Sequence, residues 1–124
     1  MRNMSFALTS EQILKRHKFV TRRLGWLFLK KGDLVQPVRK SMGLRKGEVL
    51  EKLGSPIKIL DVRREPLNTL MDSVMYGLTE CALEGFFEHK NLWIPPCFIE
   101  FFCESHRGCK PDTVVTRIEF RYTD

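Results

Sequence analysis

The sequence predicts an α+β domain, built on a small curved sheet or barrel with short helices around it. Three observations predict it. Short runs of alternating apolar and polar residues recur along the chain, the period of half-buried strands. Single helical stretches interrupt them at irregular positions, so the repeating β-α-β order of a wound parallel sheet is absent. The chain has 124 residues, one domain's worth on the usual scale of about 100–150. No repeat, low-complexity run or linker divides it, so residues 1–124 read as a single domain.

Taken in order, Met4, Phe6 and Leu8 alternate with Ser5 and Ala7, which predicts a half-buried strand. Thr9 or Ser10 then caps a short helix, with Gln12 in capping-box spacing from Thr9. Ile13 and Leu14 are expected to face the core, and Lys15, Arg16 and His17 close the helix at its cation-favouring end. Lys30-Lys31-Gly32-Asp33 reads as a turn, and Asp33–Val38 as a strand whose Pro37 marks an edge or bulge. The segment 41–54 is rich in Gly and Lys and is expected to loop out.

Ile57–Arg64 is the most strand-like central segment. Ile57 and Ile59 share one parity and Leu60 and Val62 the other, so a bulge is predicted within it. Pro66 ends it. Thr79–Glu84 reads as a short helix stopped by Gly85. Ile94-Pro95-Pro96 opens a longer one, because Pro is tolerated in a first turn. Its stripe is Phe98, Phe101 and Phe102, with Glu100 and Glu104 on the outer face. Thr113–Tyr122 is the clearest strand: Val114, Thr116, Ile118, Phe120 and Tyr122 face one way, Val115, Arg117, Glu119 and Arg121 the other.

Composition narrows the function classes. The chain is 43% hydrophobic and 29% charged, a balance that folds around a core. No apolar run approaches the roughly 18–20 residues of a membrane span. No signal peptide is expected, since no apolar run with a small-residue cleavage site follows Met1–Thr9. Cys81, Cys97, Cys103 and Cys109 form no Cys-x-x-Cys pair, so free thiols and a cytoplasmic location are expected. Cys103-x-x-His106-x-x-Cys109 supplies three possible zinc ligands, but a structural site needs four. No metal is therefore expected.

Charge is divided unevenly. Residues 1–64 hold 16 basic and 5 acidic side chains, a balance of +11, whereas residues 65–124 hold 5 basic and 10 acidic, a balance of −5. A half this basic attracts polyanions, most often nucleic acid in a small protein. The alternatives are a solvated surface with no partner, or a protein-interaction module in which the two halves pair head to tail.

The sequence becomes specific at Lys18-x-x-Thr21-Arg22-Arg23, with Trp26 close behind. In an extended strand residues i and i+3 point to opposite faces, so Lys18 and Thr21 share a site only if the chain turns between them. The stretch resembles the signature of the ASCH domain family, Gly-x-Lys-x-x-Thr-x-Arg, through Lys18, Thr21 and Arg23; Arg16 stands where the family has Gly. Lys31-Gly32-Asp33 is similar to the family's turn into the next strand. Leu78-Thr79-Glu80-Cys81-Ala82-Leu83-Glu84-Gly85-Phe86 resembles its Leu-Thr…Ala…Glu-Gly-Phe helix. Phe98–Phe102 and Val115–Phe120 resemble the closing helix and strand of small bacterial and phage-type members, so the likeness spans nearly the whole chain.

The resemblance implies a PUA-like small β-barrel with short peripheral helices, a cleft beside the first helix, and RNA or a modified nucleoside as partner. Lys18, Arg22, Arg23, Arg39 and Lys40 are the expected phosphate contacts. Trp26 either stacks on a base or fills the core, and its neighbours Leu24, Leu27, Phe28 and Leu29 favour the core. Some family members are hydrolases, removing acyl groups from N4-acylated cytidines or cleaving RNA. The deacylases use a Lys, a Thr three residues later and a Glu from a later helix, and Lys18, Thr21 and Glu84 stand at those positions. In that chemistry a Lys with a lowered pKa activates the Thr hydroxyl, and Glu84 holds the Lys, orients water or transfers a proton. Neither the residues nor the resemblance requires a cofactor.

Overall fold

A computed structural model describes residues 1–124. Five strands form one mixed sheet: β1 (Arg2–Ser5), β2 (Val20–Arg23), β3 (Leu34–Val38), β4 (Ile57–Pro66) and β5 (Val114–Tyr122). Their spatial order is β1-β3-β4-β5-β2. β1 runs parallel to β3, and the remaining pairs are antiparallel. The α+β class expected from the sequence is therefore observed. The sheet is not closed as a barrel, because β1 and β2 remain its two edges.

β4 carries the predicted bulge. Ile59 pairs with Phe120 and Asp61 with Glu119, so the register shifts where the apolar parity changes. The shift bends the long β4–β5 ribbon. The buried side chains then divide between two cores.

The first core lies on one face of the sheet, where Met4, Phe6, Ile13, Ile57, Ile59, Ile118 and Phe120 pack together. Ile13 comes from α1 (Ser10–Leu14), whereas Leu14 points to solvent. Leu8 is also exposed, because the chain leaves the sheet after Phe6 and turns, with the Thr9 amide donating to the Phe6 carbonyl at 3.0 Å. Thr9 makes no side-chain cap; the Ser10 hydroxyl donates to the same Phe6 carbonyl at 2.7 Å.

The second core lies on the other face, beneath two helices. Leu67 and Leu70 of the 3-10 turn Leu67–Met71 join Cys81, Phe98, Ile99, Phe102 and Val115. α2 (Val74–Cys81) starts earlier than expected, because Ser73 caps it by accepting the Tyr76 amide. It continues into a widened turn, Ala82–Phe86, that ends at Gly85 with φ +99. α3 (Pro95–Ser105) begins at its prolines as predicted, with Phe98 and Phe102 buried and Phe101 half-buried. This second layer also covers β5. Val115 and Arg117 sit on the face opposite Ile118 and Phe120, and both are buried there too, while Val114 is exposed. No helix is long and apolar enough to cross a membrane.

Candidate functional site

Lys18 lies just before β2, and three backbone contacts fix the chain there. The Phe19 amide donates to the Leu83 carbonyl at 2.7 Å, the Phe120 amide donates to Phe19, and the Tyr122 hydroxyl donates to the Lys18 carbonyl at 2.5 Å. The chain enters this segment through Arg16, whose φ of +61 lies in the left-handed region that favours glycine. Arg16 is held there by a 2.5 Å ion pair to Asp124, and its guanidinium lies over the Tyr122 ring.

These contacts bring Lys18, Thr21, Arg22, Arg23 and Glu84 to one cleft of about 210 Å3. The loop from Ser5 to Thr9 forms one wall. Phe86, Phe98, Phe101, Phe102 and His106 form the other. Lys18, Thr21 and Glu84 are each nearly fully buried at the cleft floor, with relative exposures of 2%, 3% and 3%.

Lys18 Nζ donates to Glu84 Oε1 at 2.7 Å and to the Glu84 carbonyl at 2.9 Å. The widened turn at Gly85 lets both oxygens of one residue reach the same ammonium. An ammonium has three N–H donors, so one is left for a ligand. Burial lowers the Lys18 pKa, and the Arg23 and Arg22 charges add to this; the Glu84 carboxylate opposes it without reversing it.

Arg22 is clamped behind them. Nη1 donates to Glu84 Oε2 at 3.0 Å and Nη2 to Glu80 Oε1 at 2.5 Å, while its buried Nε has no partner. Burial works against the Arg22 charge, but Glu84 and Glu80 outweigh it and hold the guanidinium firmly protonated. Arg117 of β5 grips Glu80 from the far side, with Nε at 2.5 Å and Nη2 at 3.0 Å. A buried ionic ladder thus runs Lys18–Glu84–Arg22–Glu80–Arg117, tying β2, the helix turn and β5 together.

Arg23 points the other way. Its Nε donates to Thr21 Oγ1 at 3.1 Å and its guanidinium covers the Phe6 ring at 4.7 Å. It lines the cleft, makes no carboxylate ion pair, and its terminal nitrogens have no protein acceptor. Burial pushes its pKa down to about 10, against the pull of Glu84, so it stays charged at neutral pH. Because Thr21 accepts from Arg23, its own hydroxyl hydrogen remains available to a ligand.

The structure therefore gathers Lys18, Thr21, Arg22, Arg23 and Glu84 at the cleft, and it places Arg39, Lys40 and Trp26 elsewhere. Arg22 is a strut between carboxylates and not a surface phosphate contact. Arg39 and Lys40 pair with Glu51 and Glu48 on the exposed loop, away from the cleft. Trp26 is half-buried against the first core and against Phe28, again outside the cleft.

Sequence reasoning missed Glu80 and Arg117. One signal was present: Glu80 and Glu84 are four residues apart, hence on one face of a helix. Arg117 offered none beyond its place beside Val115. No group of three or more His, Cys, Asp or Glu side chains is arranged to hold a metal ion. No family model, curated protein or solved structure matches the chain.

Proposed function

We propose that this is an ASCH-type, PUA-like protein whose cleft binds a single nucleoside, either free and modified or splayed out of an RNA strand. The observation that carries the proposal is the convergence of Lys18, Thr21, Arg23 and Glu84 in one cleft of about 210 Å3 with phenylalanine walls. Such a cleft suits one planar base, which stacks on aromatic side chains and presents carbonyl and amino groups to fixed donors and acceptors. Arg23 is the lysine or arginine of the lining that has no carboxylate partner, which favours a ligand with phosphate or carbonyl oxygens. Arg16 adds support for the family, because the position where the family has Gly adopts a glycine-favouring φ of +61.

Hydrolysis of an N4-acylcytidine is a second reading, favoured by the 2.7 Å Lys18–Glu84 pair beside Thr21. In that reaction neutral Lys18 takes the Thr21 proton as Thr21 Oγ1 attacks the acyl carbonyl. The amide C–N bond breaks, and the proton passes to the departing cytidine nitrogen. Water then hydrolyses the acyl-threonine ester. Burial of Lys18 lowers its pKa in the direction this role needs.

One panel tests both readings. The protein is incubated with N4-acetylcytidine and with short single-stranded RNA, beside Thr21→Ala and Lys18→Ala. Binding of either ligand that weakens at least tenfold in Arg23→Ala supports the cleft. Absence of binding to both at low salt removes the nucleoside reading. Release of acetate that survives Thr21→Ala and Lys18→Ala removes those residues from the chemistry.

A further inference from the structure

Next to the cleft's aromatic wall, two half-buried thiols face each other. Cys103 sits in the last turns of α3. After Ser105 the chain reverses through residues 106–109: the Cys109 amide donates to the His106 carbonyl at 3.1 Å, and Gly108 takes φ +78. A positive φ at the third position of a four-residue turn is what a glycine there permits. The turn is fastened on both sides. His106 Nδ1 lies 2.8 Å from the Phe102 carbonyl, and its ring stacks on Phe102 at 4.0 Å. The Lys110 amide donates to Thr113 Oγ1 at 2.9 Å. Cys109 Sγ is thereby placed 3.8 Å from Cys103 Sγ.

We propose that Cys103 and Cys109 form a dithiol modification site, which reacts with a glutathione-class disulfide and closes to an internal disulfide. A disulfide needs sulfurs roughly 2.05 Å apart, so the two must approach by less than about 2 Å, the scale of a side-chain rotation. The reaction balances as two exchanges. Cys109 thiolate attacks one sulfur of glutathione disulfide and releases one glutathione thiolate. Cys103, giving its proton to solvent, then attacks the Cys109 sulfur and releases the second glutathione. The protein dithiol is oxidised by two electrons and the glutathione disulfide is reduced by two. Cys103 is held within α3, whereas Cys109 Sγ lies at the exposed turn, 3.7 Å from the Lys110 carbonyl, so Cys109 is the sulfur an incoming disulfide reaches first.

The site bears on the cleft. Phe102 precedes Cys103, and His106 opens the turn that ends at Cys109; both Phe102 and His106 line the cleft. The closed bond staples that wall to the end of α3. The inference does not depend on what the cleft binds.

The test uses the intact chain in glutathione buffers of increasing oxidised fraction, with alkylation of remaining thiols and peptide mapping by mass spectrometry. The expected product lacks two hydrogens, links Cys103 to Cys109, and leaves Cys81 and Cys97 alkylated. Cys103→Ser is expected to stop with one glutathione on Cys109, and Cys109→Ser to remain without an internal link. Full alkylation of Cys103 and Cys109 in the oxidised buffer overturns the proposal. So does a link through Cys97, or glutathione retained on both cysteines of the wild type.

Discussion

Replacing Arg22 with Met tests the ionic ladder beneath the cleft. Arg22 makes two charge-assisted hydrogen bonds, 3.0 Å to Glu84 and 2.5 Å to Glu80. At roughly 1.5–3 kcal/mol each they sum to about 3–6 kcal/mol. Against this, Met removes the buried and unpartnered Nε, whose desolvation costs about 1–3 kcal/mol. The net loss of stability, taking low with low and high with high, is therefore about 2–3 kcal/mol. The two carboxylates keep Arg117 and Lys18, so the loss stays near the low end of what breaking a buried pair costs. Urea unfolding reads it directly: for a slope of about 1.5–2 kcal/mol/M the midpoint drops by roughly 1–2 M with the slope unchanged. Arg39→Met is the control, because its exposed pair with Glu51 should contribute under about 1 kcal/mol. An Arg22→Met loss below about 0.5 kcal/mol would refute the claim that the ladder is fastened through Arg22.

Four more outcomes follow from the same geometry. Gly77→Ala should destabilise by at least about 2 kcal/mol in thermal or urea unfolding, because its Cβ would stand 2.3 Å from the Leu70 carbonyl and 2.7 Å from Pro95 Cγ. Gly85→Ala, strained at φ +99 with its Cβ 2.8 Å from Gln12 Cγ and 3.3 Å from Lys18 Cβ, should cost about 1–3 kcal/mol and displace Gln12 first. Burial raises the Glu80 pKa, but its hydrogen bonds to Arg117 and the charge of Arg22 outweigh this and hold it below 4.5. Its stabilising contribution is thus complete above the unfolded value and lost as pH falls through the lowered folded value. In an acid unfolding series, Glu80→Gln should flatten that part of the stability curve. Finally, burial pushes the Tyr122 hydroxyl up to about 12 and also raises Tyr76, so ultraviolet titration of folded protein should show neither tyrosine half-ionised at pH 10.

Much of the site was legible because its signals are local. The Lys18-x-x-Thr21-x-Arg23 spacing, the Glu84-Gly85 helix end and the phenylalanine stripe of α3 each span only a few consecutive residues. What was illegible depends on which elements face each other. Arg22 reads as one more cation of a basic run, and only the arrival of Glu80 and Glu84 makes it a buried strut. Arg39 and Lys40 have the same composition as Lys18 and Arg22, yet local carboxylates on their own loop occupy them.

By itself the sequence determined the α+β class, the bulge in β4 and the start of α3. Side-chain parity, proline placement and glycine at a helix end act within a few residues, so the chain carries them wherever it goes. The tertiary structure alone decided that the sheet stays open, that both faces of β5 are covered, and that the basic half closes on the acidic half. The +11 and −5 halves meet chiefly as buried pairs, Lys18 and Arg22 from one with Glu84 and Glu80 from the other. Ion pairs with sequence separations of 58 to 66 residues are set by packing of distant elements, which no local pattern encodes.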